Sequence, residues 1–91
     1  MNSIQILYIG NEDWTTKYNI PDFVEWENYE DTGIFPSKQV DIVILDRDIT
    51  YKEKQILAKI TRAYSLFATE NVKMQNSVTH DYFEERSGLY L

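Results

Sequence analysis

The sequence predicts a small α/β domain built on a mostly parallel sheet, and three observations carry that prediction. Ile42-Val43-Ile44-Leu45 is apolar at every position, the pattern of a strand covered on both faces. Thr50-Tyr51-Lys52-Glu53 follows within a few residues as a capping box, and it opens a stretch with helical spacing of apolar side chains. A second strand-like run, Ile4 to Ile9, lies near the amino end. Strands alternating with helical stretches point to crossover connections and a parallel sheet.

The 91 residues make one domain, 1–91, with a small core. There is no cysteine, hence no disulfide framework, thiolate metal site or cysteine nucleophile. A net charge of −6 argues against a duplex nucleic-acid binder, which needs basic clusters to replace counterions. Met1 to Ile6 lacks the basic region and long apolar core of a secretory signal. No apolar run approaches the roughly 20 residues of a membrane span.

Taken in order, Ile4 to Ile9 is a first strand and Gly10 ends it, most simply as a tight turn. Asn11 to Asp22 has no helical periodicity and barely the length of a crossover. A loop or a single helical turn is expected there, leaving part of one sheet face uncovered. In Phe23 to Tyr29, Val24, Trp26 and Asn28 fall on one side and Phe23, Glu25, Glu27 and Tyr29 on the other, as in a strand near a sheet edge. Glu30 to Gln39 is a turn-rich link in which Ile34-Phe35 plugs the core. The central strand is 40–46 and the main helix 51–63. Ile56, Leu57, Ile60 and Tyr64 face inward from that helix, and Lys52, Lys54, Lys59 and Arg62 face water. Tyr64 to Thr69 collects β-formers and reads as a further strand, with continuation of the helix through Tyr64 and Phe67 as the alternative. Thr79 is placed as the N-cap of a last helix that stops at Gly88. The chain closes on Leu89-Tyr90-Leu91, an apolar start that predicts an amino-terminal fragment of a longer protein.

Arranged this way, the elements form a truncated Rossmann-like or flavodoxin-like sheet. Ligands of such sheets meet the carboxyl ends of the strands, so Asp46 and Asp48 are the first candidates for chemistry. In phosphorelay receiver domains an aspartate at the end of the central strand accepts phosphate, and an acidic pair after the first strand holds magnesium. Val43-Ile44-Leu45-Asp46 resembles that strand, and Glu12-Asp13 would be the pair. The missing first crossover helix and the missing final strand with its lysine oppose this. The other reading has Asp46 and Asp48 shaping the turn into the helix, where negative charge is favoured by roughly 0.3–1 kcal/mol. His80, the one histidine, stands beside Asp81 with no Gly-x-Ser-x-Gly elbow in the chain, and reads as a surface residue. No catalytic, cofactor-binding or metal-binding residue is assigned. Trp14, Tyr18, Trp26 and Tyr29 read as core and edge packing; exposed together, Trp14, Tyr18 and Trp26 would mark a partner-binding surface.

Ile6-Leu7-Tyr8-Ile9-Gly10 with Asp13-Trp14, then Ile20-Pro21, Glu25-Trp26 and Val43-Ile44-Leu45-Asp46, resembles the amino-terminal region of the second accessory secretory protein of the Gram-positive accessory Sec system. The resemblance covers roughly the whole chain through short, scattered motifs. It implies a non-catalytic interaction or scaffold domain, without cofactor, in the export of serine-rich repeat glycoprotein adhesins. The partners implied are the other accessory secretory proteins, with the accessory motor ATPase and the adhesin substrate. The place implied is the cytoplasm, at the membrane periphery through those partners. The family's serine-type hydrolase-like domain, associated with O-acetylation of adhesin sugars, would lie outside this chain.

Overall fold

The computed structural model describes residues 3–36, 39–60, 66–72 and 77–86. In chain order the elements are β1 (Ile4–Ile9), α1 (Trp14–Lys17), β2 (Val24–Asn28), α2 (Tyr29–Thr32), β3 (Ile42–Leu45), α3 (Tyr51–Ile60), β4 (Leu66–Ala68) and α4 (Ser77–Arg86). The four strands form one sheet in the order β2-β1-β3-β4 with every pairing parallel. This is a small α/β architecture of Rossmann-like or flavodoxin-like type, with β2 at an edge.

Parallel register fixes which side chains share a face. Ile6 pairs with Trp26 and with Ile42, and Ile44 pairs with Tyr8 and with Phe67, so these residues line one face. Leu7, Ile9, Val43, Leu45, Leu66 and Ala68 line the other, and all six are fully buried. Leu57 and Ile60 of α3 and Tyr82 of α4 close over that second face with Val40, Ile49 and Val72. At about 25 cal/mol per Å² of apolar surface removed from water, this cluster is the main source of stability.

The connections follow from local chemistry. Thr50 and Glu53 form the capping box: Thr50 N–H donates to Glu53 Oε1 at 2.8 Å and Glu53 N–H to Thr50 Oγ1 at 3.2 Å. Asn28 ends β2 and caps α2, its side chain accepting from Glu30 N–H at 3.0 Å. Gly33 closes that single turn with φ 68°, a left-handed conformation suited to glycine. The crossover from β1 to β2 holds one helical turn, α1, capped by Asp13.

Several boundaries differ from those read in the sequence. Tyr29 leaves β2 to start α2, because the Asn28 cap turns the chain there. The central strand is Ile42–Leu45 rather than 40–46: Val40 N–H bonds Ile60 O at 2.8 Å, away from the strand ladder. Helix α3 is described to Ile60, and 61–65 lie outside the described residues, as does Gly88. Of the proposed strand 64–69, Leu66–Ala68 is strand. Ile34 does not plug the core; it is 71% exposed, whereas Phe35 stacks on Tyr29 at 4.2 Å and packs against the cluster.

Thr79 is not an N-cap. Helix α4 begins at Ser77, and Thr79 turns inward, 1% exposed. Its hydroxyl accepts from Ile49 N–H at 2.7 Å, which gives a buried donor in the β3–α3 loop its partner and bolts α4 to that loop. Thr79→Val keeps the shape and removes the acceptor. A loss of about 1–3 kcal/mol is expected, read as a lower urea midpoint with an unchanged slope.

Candidate functional site

The carboxyl ends of β1, β3 and β4 converge on Asp46. Its backbone N–H continues the β1–β3 ladder by bonding Ile9 O at 2.8 Å, which sets the side chain over the same face as Tyr8. Asp46 as a whole is 5% exposed. Tyr8 Oη donates to Oδ2 at 2.5 Å; the Thr69 hydroxyl and Asn71 Nδ2, the latter at 2.8 Å, donate to Oδ1. Each oxygen therefore has a donor, and donors come from β1 and from the segment after β4.

Burial pushes the Asp46 carboxyl up, but the hydroxyls of Thr69 and Tyr8, the Asn71 amide and nearby Lys17 outweigh it, and the group sits below the ordinary carboxylate value. Burial, then the bond to Asp46, pushes the Tyr8 phenol up, so it stays protonated as a donor. Glu12 N–H bonds the other side of Tyr8 Oη at 3.3 Å. Gly10 is required by this crowding. A Cβ there would lie 2.5 Å from Tyr8 Oη and 2.6 Å from Asp46 Cβ, closer than real contacts allow. Its role is close approach, beyond the tight turn read from the sequence.

Around this carboxylate the other sequence candidates take separate places. Asp13 accepts from Thr15 N–H at 3.1 Å as the cap of α1, and Glu12 pairs with Lys17 at 2.8 Å. Among the described residues no group of three or more His, Asp or Glu side chains could hold a metal ion. Asp46 does not shape the entry to α3. That work falls to Arg47, which bonds Glu53 Oε2 and the Asp48 carbonyl, each at 2.8 Å, and Glu30 Oε1 at 2.6 Å. The Glu53 carboxylate, then Glu30, push the Arg47 guanidinium up. His80 is half-exposed, 3.8 Å from Asp81.

Trp14, Tyr18 and Trp26 do come together, with Tyr8 at the centre. Tyr8 lies 5.2 Å from Trp14 and 5.5 Å from Trp26, Trp14 lies 5.9 Å from Trp26, and Tyr18 meets Trp14 edge-on at 5.3 Å. Trp14 and Trp26 are half-buried and Tyr18 is 54% exposed. Both indole N–H groups are covered and lack an acceptor among the described residues. Tyr29 belongs elsewhere, on Phe35 at the core. The sequence reading missed Tyr8, Thr69, Asn71 and Arg47. The available signal was a tyrosine near the end of a largely aliphatic strand and a Thr-x-Asn step just beyond β4.

No family model matches the chain, and no curated protein matches it. Among solved structures it is similar to a chain of the Glycosylation Associate Protein (Gap123) complex from Streptococcus agalactiae, with a TM-score of 0.66 and 20% sequence identity. The likeness is one of fold. It covers 91% of this chain and 19% of that one, so the chain spans less than a fifth of the protein it matches.

The depressed Asp46 pKa has a defined consequence for acid stability. A carboxyl lower in the folded than in the unfolded state contributes stability that is fully present above the unfolded value, about 3.9, and is lost as pH falls through the folded value. Asp46→Asn is expected to lower stability near neutral pH by roughly 1.5–3 kcal/mol, the range for hydrogen bonds to a charged group. The gap to wild type should narrow as acid protonates Asp46. Urea midpoints taken from neutral pH into acid check both the size and the sign.

Proposed function

We propose that this chain is a non-catalytic interaction domain of an accessory protein-export component, one that serves glycosylated serine-rich adhesins. The observation that carries the reading is the fold likeness to a chain of the Gap123 complex across 91% of the present sequence. The scattered motifs that resemble the second accessory secretory protein point the same way. In this reading the domain works beside accessory secretory partners on the cytoplasmic side, with any sugar O-acetylation performed by residues outside these 91. No helix among the described residues is long and apolar enough to cross a membrane.

Geometry supports packing rather than chemistry at the strand ends. A carboxylate that accepts phosphate needs a free oxygen open to the donor, and Asp46 is buried with donors on both oxygens. Phosphoryl transfer to Asp46 is therefore the less supported alternative. Incubation with acetyl phosphate and magnesium is expected to leave the intact mass unchanged. A gain of one phosphoryl group that Asp46→Asn abolishes would establish the alternative instead.

The interaction role is tested by co-expressing the tagged chain with the other accessory secretory proteins and recovering the complex. Retention of at least one of them is expected. Failure to retain any, under conditions where the full-length protein does, would sink the reading.

A further inference from the structure

The two faces of the sheet are finished differently. On the α3/α4 side the core is closed, with Leu7, Val43, Leu45 and Leu66 at 0% exposure. On the other side Tyr8, at the centre of the aromatic cluster, and Ile44 are buried at the carboxyl end, whereas Ile4, Ile6, Val24, Ile42 and Phe67 are half-buried. Right-handed crossovers put a helix against each face of a parallel sheet, because a strand apolar on both sides needs two covers. Here the crossover on this side is α1, a single turn whose Trp14 packs on Tyr8 and Trp26. At the carboxyl end Thr69 and Asn71 also reach this face, at Asp46.

Size and charge narrow what fits. Adjacent strands are about 4.8 Å apart, so β2, β1 and β3 present a strip roughly 10 Å wide, the diameter of one α-helix. Residues 1–50 carry ten acidic side chains against three basic ones, and 51–91 carry five against six. Lys17 is already paired with Glu12, and Arg47 with Glu30 and Glu53. The lysines of α3, Lys52, Lys54 and Lys59, sit on the layer that covers the opposite face. Exposed acids flank the half-covered strip at both ends, Asp13 beside α1 and Asp22 just before β2. A second copy of the chain would bring a like-charged surface to this one. A helix with basic flanks would meet opposite charge.

We infer that the half-covered strip of Ile4, Ile6, Val24 and Ile42 is the docking surface for a partner's amphipathic helix with an apolar stripe and basic flanks. The inference rests on the interaction reading above and adds the surface and the partner chemistry. It takes the place of a crossover helix that this chain shortens to one turn.

The test uses the chain as it stands and a designed helical peptide of about 18 residues, five turns. Leucine occupies every third or fourth position and lysine the flanks; a twin carries glutamate for lysine. In amide-resolved NMR titrations the lysine peptide is expected to shift Ile4, Ile6, Val24, Trp26 and Ile42 together. The glutamate twin should bind at least about tenfold more weakly, a difference of about 1.4 kcal/mol. Ile42→Ser should weaken binding, with Val24→Ser on the edge strand as the second variant should the first unfold. Lys52→Glu, on the other layer, should leave it unchanged. Equal binding of the two peptides, or shifts confined to α3, would overturn the proposal. So would self-association in sedimentation equilibrium that protects the strip, or contacts to it from this chain's own later residues. Peptide binding at the strip with no accessory secretory protein retained would keep the surface and discard the export assignment.

Discussion

Taking a carboxylate out of water costs several kcal/mol unless hydrogen bonds replace the lost hydration. Asp46 meets that condition with Tyr8, Thr69 and Asn71, and the rest of the structure is arranged so that it can. Tyr8 must lie flat beneath α1 to reach Oδ2, which places Trp14 and Trp26 against its ring. Gly10 must lack a side chain for the phenol and the Asp46 backbone to approach. The segment after β4 must turn back over the sheet so that both Thr69 and Asn71 reach Oδ1. One buried charge thus sets the ends of three strands relative to one another. Hydrophobic burial supplies most of the energy, and the carboxylate supplies register, which non-directional burial cannot do.

Folds of this kind bind ligands at the carboxyl ends of their strands, and here both oxygens of the carboxylate at that position, Asp46, carry donors from the chain itself. The Tyr8 phenol, the Thr69 hydroxyl and the Asn71 amide meet at that carboxylate. On the flank of the sheet the β1–β2 crossover holds one helical turn, and Ile4, Ile6, Val24 and Ile42 are half-buried. Arg47 completes the separation of roles. It holds α2, the β3–α3 loop and the α3 capping box together through Glu30, the Asp48 carbonyl and Glu53, leaving Asp46 free for the sheet.

Much of the fold was legible where local pattern and final environment agree. The apolar run of β3, the alternation of β2 and the Thr50–Glu53 box each state their own structure, and each formed. The short crossover was also readable, since Asn11 to Asp22 lacks both length and periodicity. What failed to show were the interactions that depend on which elements meet. Thr79 has the chemistry of a cap, yet the acceptor needed by Ile49 N–H, thirty residues earlier, took its hydroxyl inward. Asp46 looked like a phosphate acceptor or a helix-entry charge because its partners, Tyr8, Thr69 and Asn71, are distant in sequence. The aromatic grouping of Trp14, Tyr18 and Trp26 needed the β1–β2 register before Tyr8 could be seen at its centre.

The all-parallel sheet also governs how the chain reaches this state. Among the described strands no neighbouring pair is joined by a hairpin; Ile4 meets Val24, Ile6 meets Ile42 and Val43 meets Leu66. Each pairing must close a long loop before any ladder bond forms, and that entropy is recovered only when several strands are in place. Assembly is therefore cooperative and slow for a chain of this size, with β1 as the strand that must recruit partners on both sides. Until those pairings form, unpaired strand edges are exposed to other chains, so this domain's exposure to misassembly is greatest during folding.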